Sequence, residues 1–231
     1  MTSGKKATGC GERRALGPKP LGTSALARAC PHPDDETLGT GALITHCAAH
    51  DRLGGIVFLT DGTGSHPEGT PRVAATRRKE ARNAVGRLGA KAIPTIWMGW
   101  RDAHPYSFDS KAFARGADRL AALLRWHRFD AIAVSDKSEA HCDHVAAYRL
   151  AEAALRRARR PIALFAYHVW SDTPRRARRI ATPAMPVGRR RHALLAHRSQ
   201  LSPVIGEGFR LPPEKLRMAA QDVLTLRRDY R

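Results

Sequence analysis

Apolar positions along this chain recur with two periods, and the switches between them predict alternating strands and helices. Ser24 to Cys30 stands where a first strand is expected, although it lacks the β-branched residues that buried parallel strands favour. From Thr37 to His50, the residues Leu38, Ala42, Leu43 and Cys47 fall near one side at helical spacing, which predicts a helix capped by Asp34 or Asp35. Ile56 to Thr60 reads as a strand that stops at Asp61-Gly62-Thr63-Gly64, a turn rich in residues tolerant of positive φ.

Pro71 opens a second helical pattern, carried by Val73, Ala74, Arg77, Ala81, Ala84, Val85 and Leu88 and ended by Gly89. A strand from Ile93 to Met98, a helix from about Lys111 to His127 and a strand from Phe129 to Ser135 follow. A helix from Val145 to Arg159 and a strand from Ile162 to Val169 complete the alternation. This order implies an α/β class: a Rossmann-like, mostly parallel sheet with helices on both faces. Beyond Trp170, repeated prolines interrupt the pattern and leave two short helices, around His192 to Gln200 and Glu214 to Leu226.

At 231 residues the chain suits a single domain. Residues 1–23, rich in Gly and Lys with two prolines and no periodicity, read as a flexible basic tail, with the domain spanning 24–231. Hydrophobic residues at 42% and charged ones at 26% exclude collagenous, coiled-coil or wholly disordered classes. Forty Lys and Arg against 21 Asp and Glu give a net charge of +19, a field that attracts nucleic acid, anionic lipid or acidic glycan alike. Much of the excess sits in arginine runs such as Arg189-Arg190-Arg191, which read as solvated faces.

Cys10, Cys30, Cys47 and Cys142 lack pairwise spacing, which argues against a disulfide framework or a Cys-type zinc finger. No apolar run reaches the roughly 20 residues of a membrane span, and none follows the N-terminal basic residues at signal-peptide length. A soluble cytoplasmic protein is the expectation.

In an open parallel sheet, ligands bind beyond the carboxyl ends of the strands. Three polar clusters follow strands here: His32-Pro33-Asp34-Asp35-Glu36, Thr60-Asp61-Gly62 and His141-Cys142-Asp143-His144. A catalytic zinc takes three imidazole or carboxylate ligands and leaves a place for water, and His32, Asp35 and His144 supply that set. Asp34 is then free to act as general base, His141 to face the developing oxyanion, and Asp143 to orient one of the two later imidazoles.

These motifs resemble the PIG-L/LmbE-like deacetylase family, marked by an Ala-or-Pro-His-Pro-Asp-Asp-Glu segment and a later His-x-Asp-His. The likeness extends to Thr-Leu-Gly-x-Gly at Thr37 to Gly41, Thr60-Asp61-Gly62, Arg77-Arg78-Lys79-Glu80 before Leu88-Gly89, and Ser199-Gln200. It implies His32, Asp35 and His144 as metal ligands, Asp34 as base and His141 as oxyanion stabiliser. It further implies Arg77 and Asp102 as contacts to sugar hydroxyls. The chain departs from the family at Cys142, where proline is usual, and in its weak first strand.

The expected activity is zinc-dependent removal of an N-acyl group, acetyl foremost, from an amino sugar or its conjugate, with Fe2+ or another divalent ion as an alternative metal. The positive charge suits an anionic member of that substrate class. Two other readings stand beside it: an amidase of a larger conjugate, and a basic nucleic-acid- or anionic-glycan-binding protein on the same fold. No RNP, helix-turn-helix or zinc-finger motif supports the last. Asp61 is expected to close its turn or support the site, and His66, His104, His168, Trp97, Trp100 and Trp170 are candidates to line a pocket or to fill core and rim.

Overall fold

The computed structural model describes residues 26–173 and 178–230. The tail expected over residues 1–23 lies outside the described residues. Five parallel strands form the body of the sheet: β1 (Leu26–Cys30), β2 (Leu53–Thr60), β3 (Thr95–Trp100), β4 (Ala131–Ser135) and β5 (Ile162–Tyr167). Two antiparallel strands, β6 (Arg179–Ala181) and β7 (Val223–Tyr230), extend it, giving the order β3-β2-β1-β4-β5-β7-β6. The helices are α1 (Asp35–Leu38), α2 (Gly41–Ala49), α3 (Val73–Arg87), α4 (Lys111–Trp126), α5 (Cys142–Ala158) and α6 (Arg189–Leu194). The α/β, mostly parallel expectation therefore holds.

Alternation along the strands builds one apolar layer on each face. Val57, Leu59, Ile132 and Val134 pack with α4 and α5, while Ile56, Phe58 and Ala133 pack with α2, α3 and α6. The first strand does without β-branched residues by using small ones: Ala27 and Ala29 are buried on the α4/α5 side. Arg28, on the other side, is fully buried beneath the Tyr167 ring at 4.2 Å, and its Nη2 donates to the Asp35 carbonyl at 3.4 Å.

Four expectations need correcting. The helix over residues 37–50 is two helices, broken at Gly39, where an added Cβ would come within 2.3 Å of the Tyr167 ring. Asp34 occupies the N-cap of α1 without a side-chain capping bond, because its carboxylate is engaged elsewhere. The helix placed at Val145 begins at Cys142, with His141 as its N-cap. Residues 214–226 do not form a helix: a 3-10 turn over Pro213–Arg217 leads into β7, whose ladder with β5 overrides local helical spacing.

β1 pairs with β2 on one side and β4 on the other, so the connections leaving β1 and β4 diverge. That divergence opens a crevice at their carboxyl ends, where the first and third polar clusters meet. Among the described residues, no helix is long and apolar enough to cross a membrane.

Candidate metal centre

His32 leaves the end of β1, Asp35 begins α1, and His144 lies in the first turn of α5. Asp35 Oδ2 stands 3.3 Å from His32 Nδ1 and 3.4 Å from His144 Nε2, and accepts the His32 backbone N–H at 2.9 Å. Two donors each about 2.0–2.2 Å from a tetrahedral ion are separated by about 3.3–3.5 Å, so the spacing fits a shared cation. His144 is fully buried and neither of its ring nitrogens makes a hydrogen bond; Nε2, the one facing Asp35, is a buried polar atom that such an ion would satisfy. Imidazole, imidazole and carboxylate are the donor set expected of a hydrolytic metal site.

Each imidazole is braced on its far side. His32 Nε2 lies 3.0 Å from Asp143 Oδ2 and 3.2 Å from Asp102 Oδ1. Burial disfavours the charged ring of His32, but bonds to Asp102, Asp143 and Asp35 outweigh it and raise its pKa well above the usual histidine value. Burial likewise opposes ionisation of Asp35, yet the neighbouring His144 and His32 hold its carboxyl below the ordinary range. Asp143, expected to serve one of the two later imidazoles, meets His32 instead; His141 Nδ1 is 3.9 Å away. His144 Nδ1 lies 3.3 Å from Glu139 Oε2. Sequence spacing did not single out Glu139.

Asp34 has φ 127, a conformation that is costly for a residue bearing Cβ. It is held by its own N–H, which donates to Glu36 Oε2 at 2.8 Å, and by its carbonyl, which accepts from Thr37 and Leu38 N–H at 2.9 Å each. Glu36 in turn contacts His197 Nε2 at 2.8 Å, fastening α1 to the C-terminal segment. Burial raises the Asp34 carboxyl to about 7, against the pull of the Arg77 guanidinium.

Arg77 lines the pocket, but its guanidinium is turned toward protein. Nη1 donates to Gly62 O at 3.0 Å, and Nη2 donates to Asp34 Oδ2 at 3.0 Å and to Pro33 O. Three residues farther along α3, Glu80 accepts Ser199 N–H at 2.8 Å and Ser199 Oγ–H at 2.6 Å, so two separated sequence motifs meet.

His141 stands at the rim, its side chain 41% exposed. Its Nδ1 accepts the Asp143 N–H at 3.2 Å, so a neutral ring carries its proton on Nε2. Burial, and then the charge of His32, lower its pKa and favour that neutral form. A neutral donor thus faces a cavity of about 430 Å³ lined by His32, Asp34, Asp35, Arg77, Asp102, His141, Gln200, Trp170 and Phe209, among others.

The remaining candidates divide. Trp170 joins the pocket wall, whereas Trp97 stacks on Phe58 at 4.3 Å and the buried Trp100 packs edge-on to Tyr106. His66 and His168 bond to Ser65 and Ser171, and His104 bonds to the Asp102 carbonyl. Asp61 closes its own turn by accepting Thr63 N–H and Oγ–H at 3.0 and 2.8 Å. Cys142 is exposed, and burial together with Asp143 raises its thiol pKa, which keeps it protonated.

No curated protein matches the chain significantly. Among solved structures it is similar to the conserved protein TT1542 from Thermus thermophilus, at 24% identity and TM-score 0.67, over 89% of this chain and 95% of that one. It is also similar to N,N'-diacetylchitobiose deacetylase from Pyrococcus horikoshii, at 22% identity and TM-score 0.63, over 79% and 72%. The A40926 pseudoaglycone deacetylase Dbv21 aligns at 14% identity and TM-score 0.63, over 90% and 99%. At such identities the likeness establishes the fold. Residues 29–155, more than half of the chain and inclusive of both His/Asp clusters, match the family model described as PIG-L: GlcNAc-PI de-N-acetylase, and the chain therefore belongs to the PIG-L family.

Proposed function

We propose that the chain is a zinc-dependent hydrolase that removes an N-acetyl group from an amino sugar or amino-sugar conjugate. The observation that carries this reading is the grouping of His32, Asp35 and His144 around one point, with the unliganded Asp34 carboxylate beside it and a pocket opening over both. Family membership supports it, as do structural neighbours named as deacetylases of diacetylchitobiose and of a glycopeptide pseudoaglycone.

His32, Asp35 and His144 would hold the ion, which when bound supplies Lewis-acid polarisation of the scissile carbonyl and acidifies water. Asp34 accepts the proton of the attacking water as its oxygen adds to the amide carbon. Arg77 fixes the Asp34 carboxylate for that task. His141 donates its Nε2–H to the oxygen on which charge develops, and its rim position lets it meet substrate without distorting the buried set. Collapse breaks the C–N bond, Asp34 returns the proton to nitrogen, and a carboxylate and a free amine leave.

Asp102, on the pocket wall, serves sugar hydroxyls, and Asp143 and Asp102 together orient His32. Trp170 offers a ring face to the sugar or its substituent. The +19 charge favours an anionic substrate over a neutral one.

A panel of neutral and phosphorylated N-acetylglucosamine derivatives, assayed with zinc for acetate release, tests the reading. Acetate release is expected, fastest from anionic members and abolished by chelation. Equal rates on neutral and anionic members remove the charge argument. No acetate from any member, together with salt-sensitive binding to nucleic acid, favours a basic binding protein instead.

A further inference from the structure

Glu139 is used by none of the steps above, yet it is 3% exposed and its carboxylate is the most heavily engaged near the centre. Oε1 accepts N–H from Val169 at 3.1 Å and Ser171 at 3.1 Å, and the Ser171 hydroxyl at 2.6 Å. The Trp170 N–H points between the two oxygens, 3.3 Å from Oε1 and 3.1 Å from Oε2. Three consecutive backbone amides therefore form a nest around one carboxylate, an arrangement that fixes a loop as firmly as a bound anion would. The remaining side of Oε2 lies 3.3 Å from His144 Nδ1, a close electrostatic contact that falls outside hydrogen-bond geometry and is the nearest carboxylate contact of that nitrogen among the described ion pairs.

Two consequences follow from this double attachment. A carboxylate facing Nδ1 favours the tautomer with its proton there, which leaves the Nε2 lone pair directed at Asp35 and His32. The same carboxylate also holds the loop that carries Trp170 into the pocket wall, where the ring meets Phe209 edge-on at 6.1 Å. Without it, three backbone amides, that of Val169 buried and those of Trp170 and Ser171 partly buried, would lose their acceptor and the loop would have to rearrange.

We infer that Glu139 is a positioning residue that sets the metal-binding tautomer of His144 and, through the same carboxylate, the placement of Trp170 in the pocket wall. This rests on the metal-site reading of His144 given above. It makes ion affinity and pocket shape depend on one side chain, contributed by the β4–α5 loop and gripping the loop after β5.

Zinc titration of the purified full-length chain against a chromophoric chelator tests it. Glu139→Gln, which keeps the shape and loses the charge, is expected to weaken zinc binding by about 10- to 100-fold. Ser171→Ala removes a contact on the loop side alone and is expected to leave zinc affinity unchanged while raising KM for a conjugated substrate. Native zinc affinity in Glu139→Gln, or an equal loss in Ser171→Ala, overturns the inference. Should Glu139→Gln fail to fold, ring nitrogen NMR shifts of His144 in the zinc-free native chain decide: a proton on Nδ1 supports the inference, and one on Nε2 overturns it. If the native chain binds no zinc at all, the metal-site reading itself falls, which is a separate outcome.

Discussion

The loop after β1 and the loop after β4 deliver the same two chemical groups to one point, yet by opposite means. The first is buried and strained: Asp34 takes a positive φ, and its neighbours Asp35 and Glu36 are shut away from water at 1% and 0% exposure. The second is a regular helix start, with one imidazole fully buried and the other at the rim. Strain is tolerated where hydrogen bonds over-determine the backbone, and it places two adjacent carboxylates in different surroundings. Helical spacing does a simpler task, setting two histidines one turn apart, His144 in the buried cluster with Asp35 and His141 at the pocket rim.

Substitutions on the two loops separate these contributions. Asp35→Ala removes a ligand that both imidazoles face, and is expected to abolish zinc retention in elemental analysis and to cost more than about 10⁴-fold in activity. Asp34→Asn, one residue earlier, is expected to keep its zinc and still lose about 10²- to 10⁴-fold in kcat. Retained activity there would show that the strained loop serves only to place a ligand. On the second loop, His141→Ala is expected to lower kcat by about 10²- to 10³-fold with zinc content unchanged, and to lower the melting temperature modestly because the N-cap bond to the Asp143 N–H is lost.

The smallest effect is expected at Cys142. It is the first residue of α5, and His141 before it has φ −79 and ψ 132, the extended conformation that a following proline requires. Cys142→Pro is expected to leave activity unchanged and to raise stability by about 0.4–1 kcal/mol in thermal unfolding. A large loss would place the Cys142 thiol or its N–H in the site's workings.

The grouping of His32, Asp35 and His144 was legible in the sequence because two of its members are three residues apart and the third belongs to an equally compact motif. Their supports were less so. Glu139 lies five residues before His144, but the amides that give it meaning are about thirty residues farther on, and Asp143 finds its partner 111 residues away. Local spacing carries no trace of such pairings. The same limit explains residues 214–226, where the strand is decided by a ladder with β5 that no short window contains. α4, whose burial follows its helical period, and β4, a short apolar run buried almost throughout, were readable directly.

The buried guanidinium of Arg28 acts on β1 as a key does in a lock. Neighbouring positions of the strand face opposite sides, so a slip of one residue would drive a cation into the alanine-lined layer under α4 and α5 and bring the alanines under Tyr167. Such a slip would also carry His32, two residues beyond the strand, about 3.3 Å out of line with His144. A strand with little affinity of its own is thus kept in step by the one residue that cannot change sides.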